Sequence, residues 1–308
     1  MRILIVCSAN SGRIAPFVSE QGGALKEQDC IVDYFPIYGK GITGYLSNLS
    51  KLKKQLSENA YDLVHAHYGL CGALSIMQRK VPVVITFHNG ETLTRKANLL
   101  SSVASLFSSY NIYVAQHIYD LCFFKRKKNF LILPCGIPLN QIQIMHKKEA
   151  MEKMNLSSNK INILFGGAFN NLRKNVDLAN KALAILNRND INLIELKGFN
   201  REQVITLLNA CDLMLLPTKS EGSPQIVKEA MACNCPIVAT PVADIPLLIK
   251  NTEGCYLTTF SPEDVAEKIK MAISYGKRTT GRKIMENYDN SIIAQRIINE
   301  VYNKILKS

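Results

Sequence analysis

Two glutamates with seven residues between them occupy the part of the sequence best suited to bind a ligand. Glu221 and Glu229 follow an apolar run at residues 213–217, which predicts a buried strand. Ser223 is a favourable N-cap and Pro224 a favourable first helical residue, so a helix is predicted to begin between the glutamates. The free N–H groups at such a helix start form an anion site that suits a diphosphate.

The two carboxylates flank this predicted anion site. The side chain of Glu229 leans back toward the helix start, where it can accept hydrogen bonds from two vicinal ribose hydroxyls. Glu221 precedes the helix and would face the group that hangs from the phosphates. The alternative is an ordinary helix start with two solvated glutamates. The predicted ligand-binding segment comprises Glu221, Gly222, Ser223, Pro224, Gln225, Ile226 and Glu229.

A second candidate element combines glycines with basic residues at positions 165–174. Gly167 follows an apolar run, where a missing side chain lets the backbone approach a ligand. Arg173 and Lys174 come just before a predicted helix and could neutralise a diphosphate. A solvated helix start is the alternative interpretation. The sequence leaves open which of the two basic residues has this role.

His88 ends an apolar run and could hydrogen-bond a sugar hydroxyl, although a histidine at a strand end is often structural. His65 and His67 are expected to pack at the end of a neighbouring strand and to contact the residues of the site, not the ligand, with His67 the nearer to the site. Gly12 lies in a turn after the first strand. That turn contains one glycine only, so the dinucleotide-binding fingerprint is absent and a hydride-transfer enzyme is disfavoured.

The elements that must position these residues form an α/β pattern, because strand-length apolar runs alternate with amphipathic segments of helix length. Helices are predicted at residues 14–26, 46–58 and 291–306. The expected domains are residues 1–155, residues 156–290 and a final helix at residues 291–308 that crosses back toward the first domain. Strands are predicted at residues 3–7, 31–35, 63–67, 81–87, 112–115, 130–133, 161–166, 193–197, 213–216, 237–239 and 255–257.

The glutamate pair, the Ala-Met that follows it and the strand at residues 236–240 resemble the signature of the retaining GT-B glycosyltransferases of family 4. Residues 86–88, Thr-Phe-His, are also similar to a family pattern. The resemblance implies two facing Rossmann-like, doubly wound parallel-sheet domains with a cleft between them. It assigns the donor sugar to Glu221 and the ribose to Glu229, makes Glu221 and His88 the catalytic residues, and brings Gly12 near the donor phosphate. Many members have an arginine where this chain has Ala168.

The activity implied by the resemblance is transfer of a hexosyl or N-acetylhexosaminyl group (EC 2.4) with retention and without a metal. The donor would be a nucleoside-diphosphate sugar, with UDP preferred to GDP, and no other cofactor is expected. The acceptor would be a saccharide or lipid-linked saccharide in bacterial cell-surface polysaccharide synthesis. A regulatory protein that binds nucleotide sugars without turnover is the alternative function.

Composition agrees with a globular protein in a reducing compartment. The nine cysteines are scattered and lack the spacing of a zinc site, so neither a disulfide framework nor a metal is expected. The net charge of +12 favours an anionic partner. A nucleic acid is disfavoured because no known binding motif accompanies the basic residues. The chain is predicted to be cytoplasmic. Residues 123–128 join two phenylalanines to four basic residues and could contact an anionic membrane, and the alternative is a solvated helix end with two buried phenylalanines.

Overall fold

The computed structural model describes residues 1–90 and 94–307, which divide into two compact units. The first unit contains Met1–Gly136 together with the C-terminal segment that starts at Tyr288. The second unit is Ile137–Asn287. Each unit is built on one parallel sheet, so the predicted parallel α/β architecture is confirmed for both.

The first unit has a six-stranded sheet in the order β2-β1-β3-β4-β5-β6. Side chains of β1 alternate between two core clusters, with Ile3 and Ile5 in one and Leu4 and Val6 in the other. Both faces of the sheet are therefore covered, as in a doubly wound fold. The strands are β1 Arg2–Ser8, β2 Ile31–Ile37, β3 Leu63–His67, β4 Val83–Phe87, β5 Tyr110–Tyr113 and β6 Phe130–Ile132.

Helices connect these strands, and the C-terminal segment adds two more to the same unit. Tyr302 in that segment is fully buried beside the β1 residues Ile3 and Ile5. The helices of the first unit are α1 Pro16–Lys26, α2 Gly41–Leu46, α3 Leu49–Glu58, α4 Gly69–Ile76, α5 Arg95–Phe107, α6 Gln116–Leu121, α14 Asn290–Ile297 and α15 Asn303–Leu306.

The second unit has a five-stranded sheet in the order β11-β10-β9-β7-β8. Apolar side chains of its central strands, among them Phe165 and Leu215, pack against helices α8 and α12. The strands are β7 Ile161–Phe165, β8 Ile191–Glu195, β9 Leu213–Leu216, β10 Ile237–Ala239 and β11 Cys255–Leu257, and the helices are α7 Lys147–Lys153, α8 Val176–Leu186, α9 Arg201–Ala210, α10 Gln225–Ala232, α11 Ile245–Ile249, α12 Pro262–Tyr275 and α13 Arg282–Met285.

Two predicted helices differ from the observed ones. The helix predicted at residues 46–58 corresponds to α3, which begins three residues later at Leu49. The chain turns at Ser47 and Asn48, where the Asn48 side-chain amide donates to the carbonyls of Tyr38 and Gly44. The C-terminal helix predicted at residues 291–306 contains a π-helical turn at Ile298–Tyr302. A π turn adds a residue locally and is not visible in hydrophobic periodicity.

Two features are absent from residues 1–90 and 94–307. Within these ranges, no helix combines the length and hydropathy needed to cross a membrane. The same part of the chain contains no group of three or more His, Cys, Asp or Glu side chains that could hold a metal ion.

Candidate functional site

The strand order of the second sheet reverses between β7 and β9. From β7 the chain adds β8 on one side of the sheet, and it then returns to add β9 on the other side. Ligands of open parallel sheets bind at such a switch point, beyond the carboxyl ends of the strands. The loops after β7 and β9 meet here through an ion pair between Lys174 and Glu221, with 2.7 Å from Nζ to Oε1. The two side chains are 16% and 15% exposed. The structure thus brings together two of the predicted site residues.

A glycine makes room for this ion pair. A Cβ at Gly167 would lie 2.5 Å from Cγ of Lys174, so any larger residue would displace the lysine. The hydroxyl of Thr218 donates to the same Oε1 of Glu221 at 3.0 Å and helps to fix the carboxylate. Gly167 therefore acts through the position of Lys174, which is a second reason for a glycine there.

Arg173 has a different environment from Lys174. Its backbone carbonyl accepts a hydrogen bond from the amide of Lys219 at 2.8 Å and lies 3.1 Å from Thr218 Oγ1. Its side chain is exposed and makes no ion pair with the residues that the structure describes. Of the two basic residues that the sequence left undecided, Lys174 is the one that contacts Glu221.

The helix after β9 begins later than the sequence predicted. Helix α10 starts at Gln225, with Pro224 as its N-cap, and no side chain caps it. The prediction of Ser223 as N-cap and Pro224 as first helical residue is therefore wrong. The reason is a competing partner, because Ser223 Oγ donates to Oδ2 of Asp244 at 2.6 Å.

The side chain of Lys228 contacts both Ser223 and Asp244 and so accounts for their pairing. Its side chain is fully buried, and its ammonium lies 3.9 Å from Oδ2 of Asp244, whose side chain is only 3% exposed. The ammonium also donates to Ser223 Oγ. A buried lysine is rare unless it is paired. The available signal was a lysine between the apolar pairs Ile226–Val227 and Ala230–Met231, and sequence reasoning did not use it.

Glu229, on α10, faces α9. Its Oε1 lies 3.1 Å from a guanidinium nitrogen of Arg201, the first residue of α9, and its side chain is 13% exposed. Helix α9 is fixed at this end by a capping box between Asn200 and Gln203. Arg201 was missed because nothing in the sequence places the start of α9 beside α10.

The first sheet has its own switch point, between β1 and β3. A cavity of about 360 Å³ opens there, lined in part by Ser8 at the end of β1, by Asn10 and Ser11 after it and by Tyr68 after β3. Tyr68 has a φ of 74°, a backbone conformation that non-glycine residues rarely adopt and that is concentrated at functional sites. Gly12, which the sequence predicted as a donor contact, lies in the exposed loop after β1 that also contains Asn10 and Ser11, and its φ is 89°.

His88 follows β4 in the first unit, and both of its ring nitrogens face protein groups. Nε2 lies 3.0 Å from Nδ1 of His67, and Nδ1 lies 3.6 Å from Sγ of Cys135. The rings of Phe17 and Tyr68 pack against the imidazole with centroids 4.7 and 5.0 Å away. The orientation of the His88 imidazole is therefore fixed by these contacts, in particular by the one with His67.

The histidines of β3 are neutral. Burial lowers the pKa of His67 to about 3, and it lowers the pKa of His65 well below the usual value for histidine. His65 is bonded to Thr86 Oγ1 at 2.7 Å and to the Tyr302 hydroxyl. The Nε2 of His67 is buried without a hydrogen-bond partner among the described residues. A buried N–H without a partner is rarer than a buried acceptor without one, so Nε2 is assigned as the unprotonated nitrogen and Nδ1 as the donor to His88.

The predicted residues therefore fall into two groups. The second unit holds the Gly167, Lys174 and Glu221 cluster together with the start of α10, where Pro224 and Ile226 are buried and Gln225 is half-buried. Gly12 and His88 belong to the first unit. The roles assigned to these residues stay predictions. The residues that sequence reasoning missed are Arg201, Thr218, Lys228, Asp244, Tyr68 and Cys135.

Comparison with known proteins agrees with the two-domain pattern. A family model described as Glycosyltransferase Family 4 matches residues 4–138, and one described as Glycosyl transferases group 1 matches residues 181–274. No curated protein sequence matches the chain.

Several solved structures are similar over the whole chain. Sucrose-phosphate synthase from Thermosynechococcus elongatus has a TM-score of 0.84 at 15% identity, and the match covers 100% of this chain and 99% of that one. HepE from Anabaena, solved with UDP and glucose, has a TM-score of 0.77 at 15% identity, with 98% and 100% covered. The lipopolysaccharide outer core galactosyltransferase WaaB has a TM-score of 0.76 at 12% identity, with 99% and 100% covered. At these identities the likeness establishes the GT-B fold, and the family matches give the activity class. The chain belongs to the GT-B glycosyltransferases that combine a Family 4 domain with a group 1 domain.

Proposed function

We propose that the protein transfers a hexosyl or N-acetylhexosaminyl group from a nucleoside-diphosphate sugar to a hydroxyl of a saccharide or lipid-linked saccharide. The observation that carries this proposal is the Lys174–Glu221 ion pair at the switch point of the second sheet. It sets a cation and a carboxylate at the place where α/β sheets bind ligands. Both members keep about a sixth of their side-chain surface exposed, so both remain accessible to a ligand.

The donor would lie along this switch point and the start of α10. The uncapped N–H groups of α10 suit the diphosphate, together with Lys174. Glu229, held by Arg201, would accept hydrogen bonds from the ribose hydroxyls. Glu221 would contact the donor sugar. UDP is the preferred nucleotide, and the HepE structure with UDP and glucose supports that choice over GDP.

We propose transfer with retention of the anomeric configuration and without a metal. The bond from the anomeric carbon to the diphosphate oxygen breaks, and the acceptor oxygen bonds to that carbon on the same face. The acceptor proton passes to the departing diphosphate. Lys174 and the α10 amides would stabilise the charge on that leaving group, and His88 would hydrogen-bond a sugar hydroxyl.

The cavity of the first unit is the proposed acceptor site. Its polar lining groups Ser8, Asn10 and Ser11 are uncharged, and Tyr45 and Tyr68 supply aromatic surface. Hydroxyls and amides beside aromatic rings suit a neutral saccharide. The likeness to WaaB supports a role in cell-surface polysaccharide synthesis. Such a role would place the protein at the cytosolic face of a membrane, with residues 123–128 as a peripheral contact.

Thermal-shift measurements with UDP, GDP and their sugars test the donor class, because a ligand that binds only the folded state raises Tm. UDP and at least one UDP-sugar are expected to raise Tm, and the Glu229→Gln variant is expected to lose most of that shift. The alternative, a regulator that binds nucleotide sugars without turnover, predicts the same shift but no nucleotide release. An unchanged Tm with every nucleotide would contradict both functions.

A further inference from the structure

Helix α5 in the first unit has its amphipathic pattern reversed. After its first two residues, Arg95 and Lys96, its exposed residues are apolar, with Leu99, Val103, Leu106 and Phe107 exposed by 47%, 36%, 44% and 71%. A surface helix ordinarily buries its apolar stripe and exposes its polar face. The uncharged polar residues of α5 are instead buried, namely Asn98, Ser101, Ser102 and Ser105.

Hydrogen bonds to the segment after α6 account for the reversal. The amide of Asn98 donates to the carbonyl of Leu121 at 2.8 Å, and the backbone N–H of Phe123 donates to Ser102 Oγ at 3.0 Å. The guanidinium of Arg126 donates to the carbonyls of Ser105 and Ser108 at the end of α5. The helix is thus attached through its polar face, and its apolar stripe is exposed among the described residues of the first unit.

The same hydrogen bonds bring a second set of exposed groups beside α5. Leu121, Phe123 and Phe124 are exposed by 53%, 55% and 43%. Together with the apolar stripe of α5 they define what we call the α5 surface, whose basic residues are Arg95, Lys96, Lys125, Arg126, Lys127 and Lys128. Asp120 is the single acidic residue in α5, in α6 or in residues 121–128, and it accepts a hydrogen bond from Gln116.

We propose that the α5 surface docks on an anionic lipid bilayer, with the apolar side chains entering the interface and the basic residues contacting phosphate headgroups. Exposed apolar groups beside clustered lysines and arginines are the combination that binds such interfaces. A second copy of the chain fits poorly, because pairing two α5 surfaces would oppose their basic residues. The inference extends the proposed peripheral contact to α5, and it does not depend on glycosyl transfer.

Co-sedimentation with vesicles tests the proposal on the full chain. We expect binding to vesicles of equal parts phosphatidylglycerol and phosphatidylcholine, and little binding to phosphatidylcholine alone. The double variant Leu106→Ser/Phe107→Ser and the double variant Lys127→Glu/Lys128→Glu should each weaken partitioning by about tenfold or more, since both kinds of contact are needed.

Matched controls are the exposed apolar pair Ile185→Ser/Phe260→Ser in the second unit and the charge pair Lys51→Glu/Lys53→Glu on α3. Both should bind as the wild type does. The proposal is overturned if the wild type ignores anionic vesicles, if the controls lose binding equally, or if sedimentation equilibrium shows that Leu106→Ser/Phe107→Ser disrupts a dimer. Thermal shift with UDP reports separately on folding and on the donor site.

Discussion

Lys174 and Glu221 are 47 residues apart in the sequence and lie in different loops. Their charged atoms lie 2.7 Å from each other at the switch point of the second sheet. The adjacency of β7 and β9 creates this contact, and Gly167 keeps space for the lysine. A carboxylate held beside an ammonium can accept hydrogen bonds from sugar hydroxyls, while the ammonium donates hydrogen bonds to phosphate oxygens. This pair is the centre of the proposed donor site.

Replacing the lysine should separate its role from that of its neighbour. Lys174→Ala is expected to lower the transfer rate about 100-fold or more, because it removes a charge aimed at the leaving diphosphate. Arg173→Ala is the matched control, and its effect should stay within about threefold, since its exposed side chain forms no ion pair in the described structure. Steady-state kinetics with the best donor measures both, and equal losses would contradict the assignment.

The ribose contact is tested by binding. Glu229→Gln keeps the size of the side chain but weakens its acceptance of two hydroxyls, so Kd for UDP should rise about 10- to 100-fold. Glu202→Gln, at an exposed position next to Arg201 on α9, should leave Kd unchanged. Isothermal titration calorimetry gives both values. An unaltered Kd in Glu229→Gln would remove this residue from the nucleotide site.

Sequence reasoning went furthest where the determinants are local. The spacing of Glu221 and Glu229 around a Ser-Pro step identified the strand, the loop and the helix, because all three are consecutive in the chain. The helix start was misplaced, since Ser223 is bonded to Asp244, which is 21 residues away. The partners Lys174 and Arg201 depend on which strands and helices are neighbours, and a single sequence does not specify that.

The buried lysine predicts a large effect on stability. Lys228→Met would leave the carboxylate of Asp244 buried without its cation, so the free energy of unfolding should fall by about 3–5 kcal/mol. The double variant Lys228→Met/Asp244→Asn should recover part of that loss, because no uncompensated charge remains. Urea denaturation of the three proteins gives the comparison. A single variant as stable as the wild type would show that the pair has no such role.

The neutral histidines predict acid lability. Because folding depresses the pKa values of His65 and His67, the unfolded chain binds more protons below about pH 6.5. Stability is full above that pH and is lost as the pH falls, by up to about 1.4 kcal/mol per pH unit for each histidine, down to about pH 3 for His67.

Urea denaturation at pH 7 and pH 5.5 measures this dependence. The variant His67→Phe should be less sensitive to the change in pH, because one of the two buried imidazoles is gone. His146→Gln, at an exposed position in the second unit, should behave as the wild type does. A wild-type protein equally stable at both pH values would contradict the neutral state assigned to His65 and His67.

The most direct test of the central claim is nucleotide release from a panel of UDP- and GDP-sugars in the presence of saccharide acceptors, for the wild type and for Glu221→Gln. The wild type is predicted to release UDP from at least one donor, and Glu221→Gln, which lacks the charge paired with Lys174, is predicted to be slower by about 100-fold or more. Binding of donors with no turnover by the wild type would contradict glycosyl transfer, and full activity in Glu221→Gln would contradict the role proposed for that residue in the donor site.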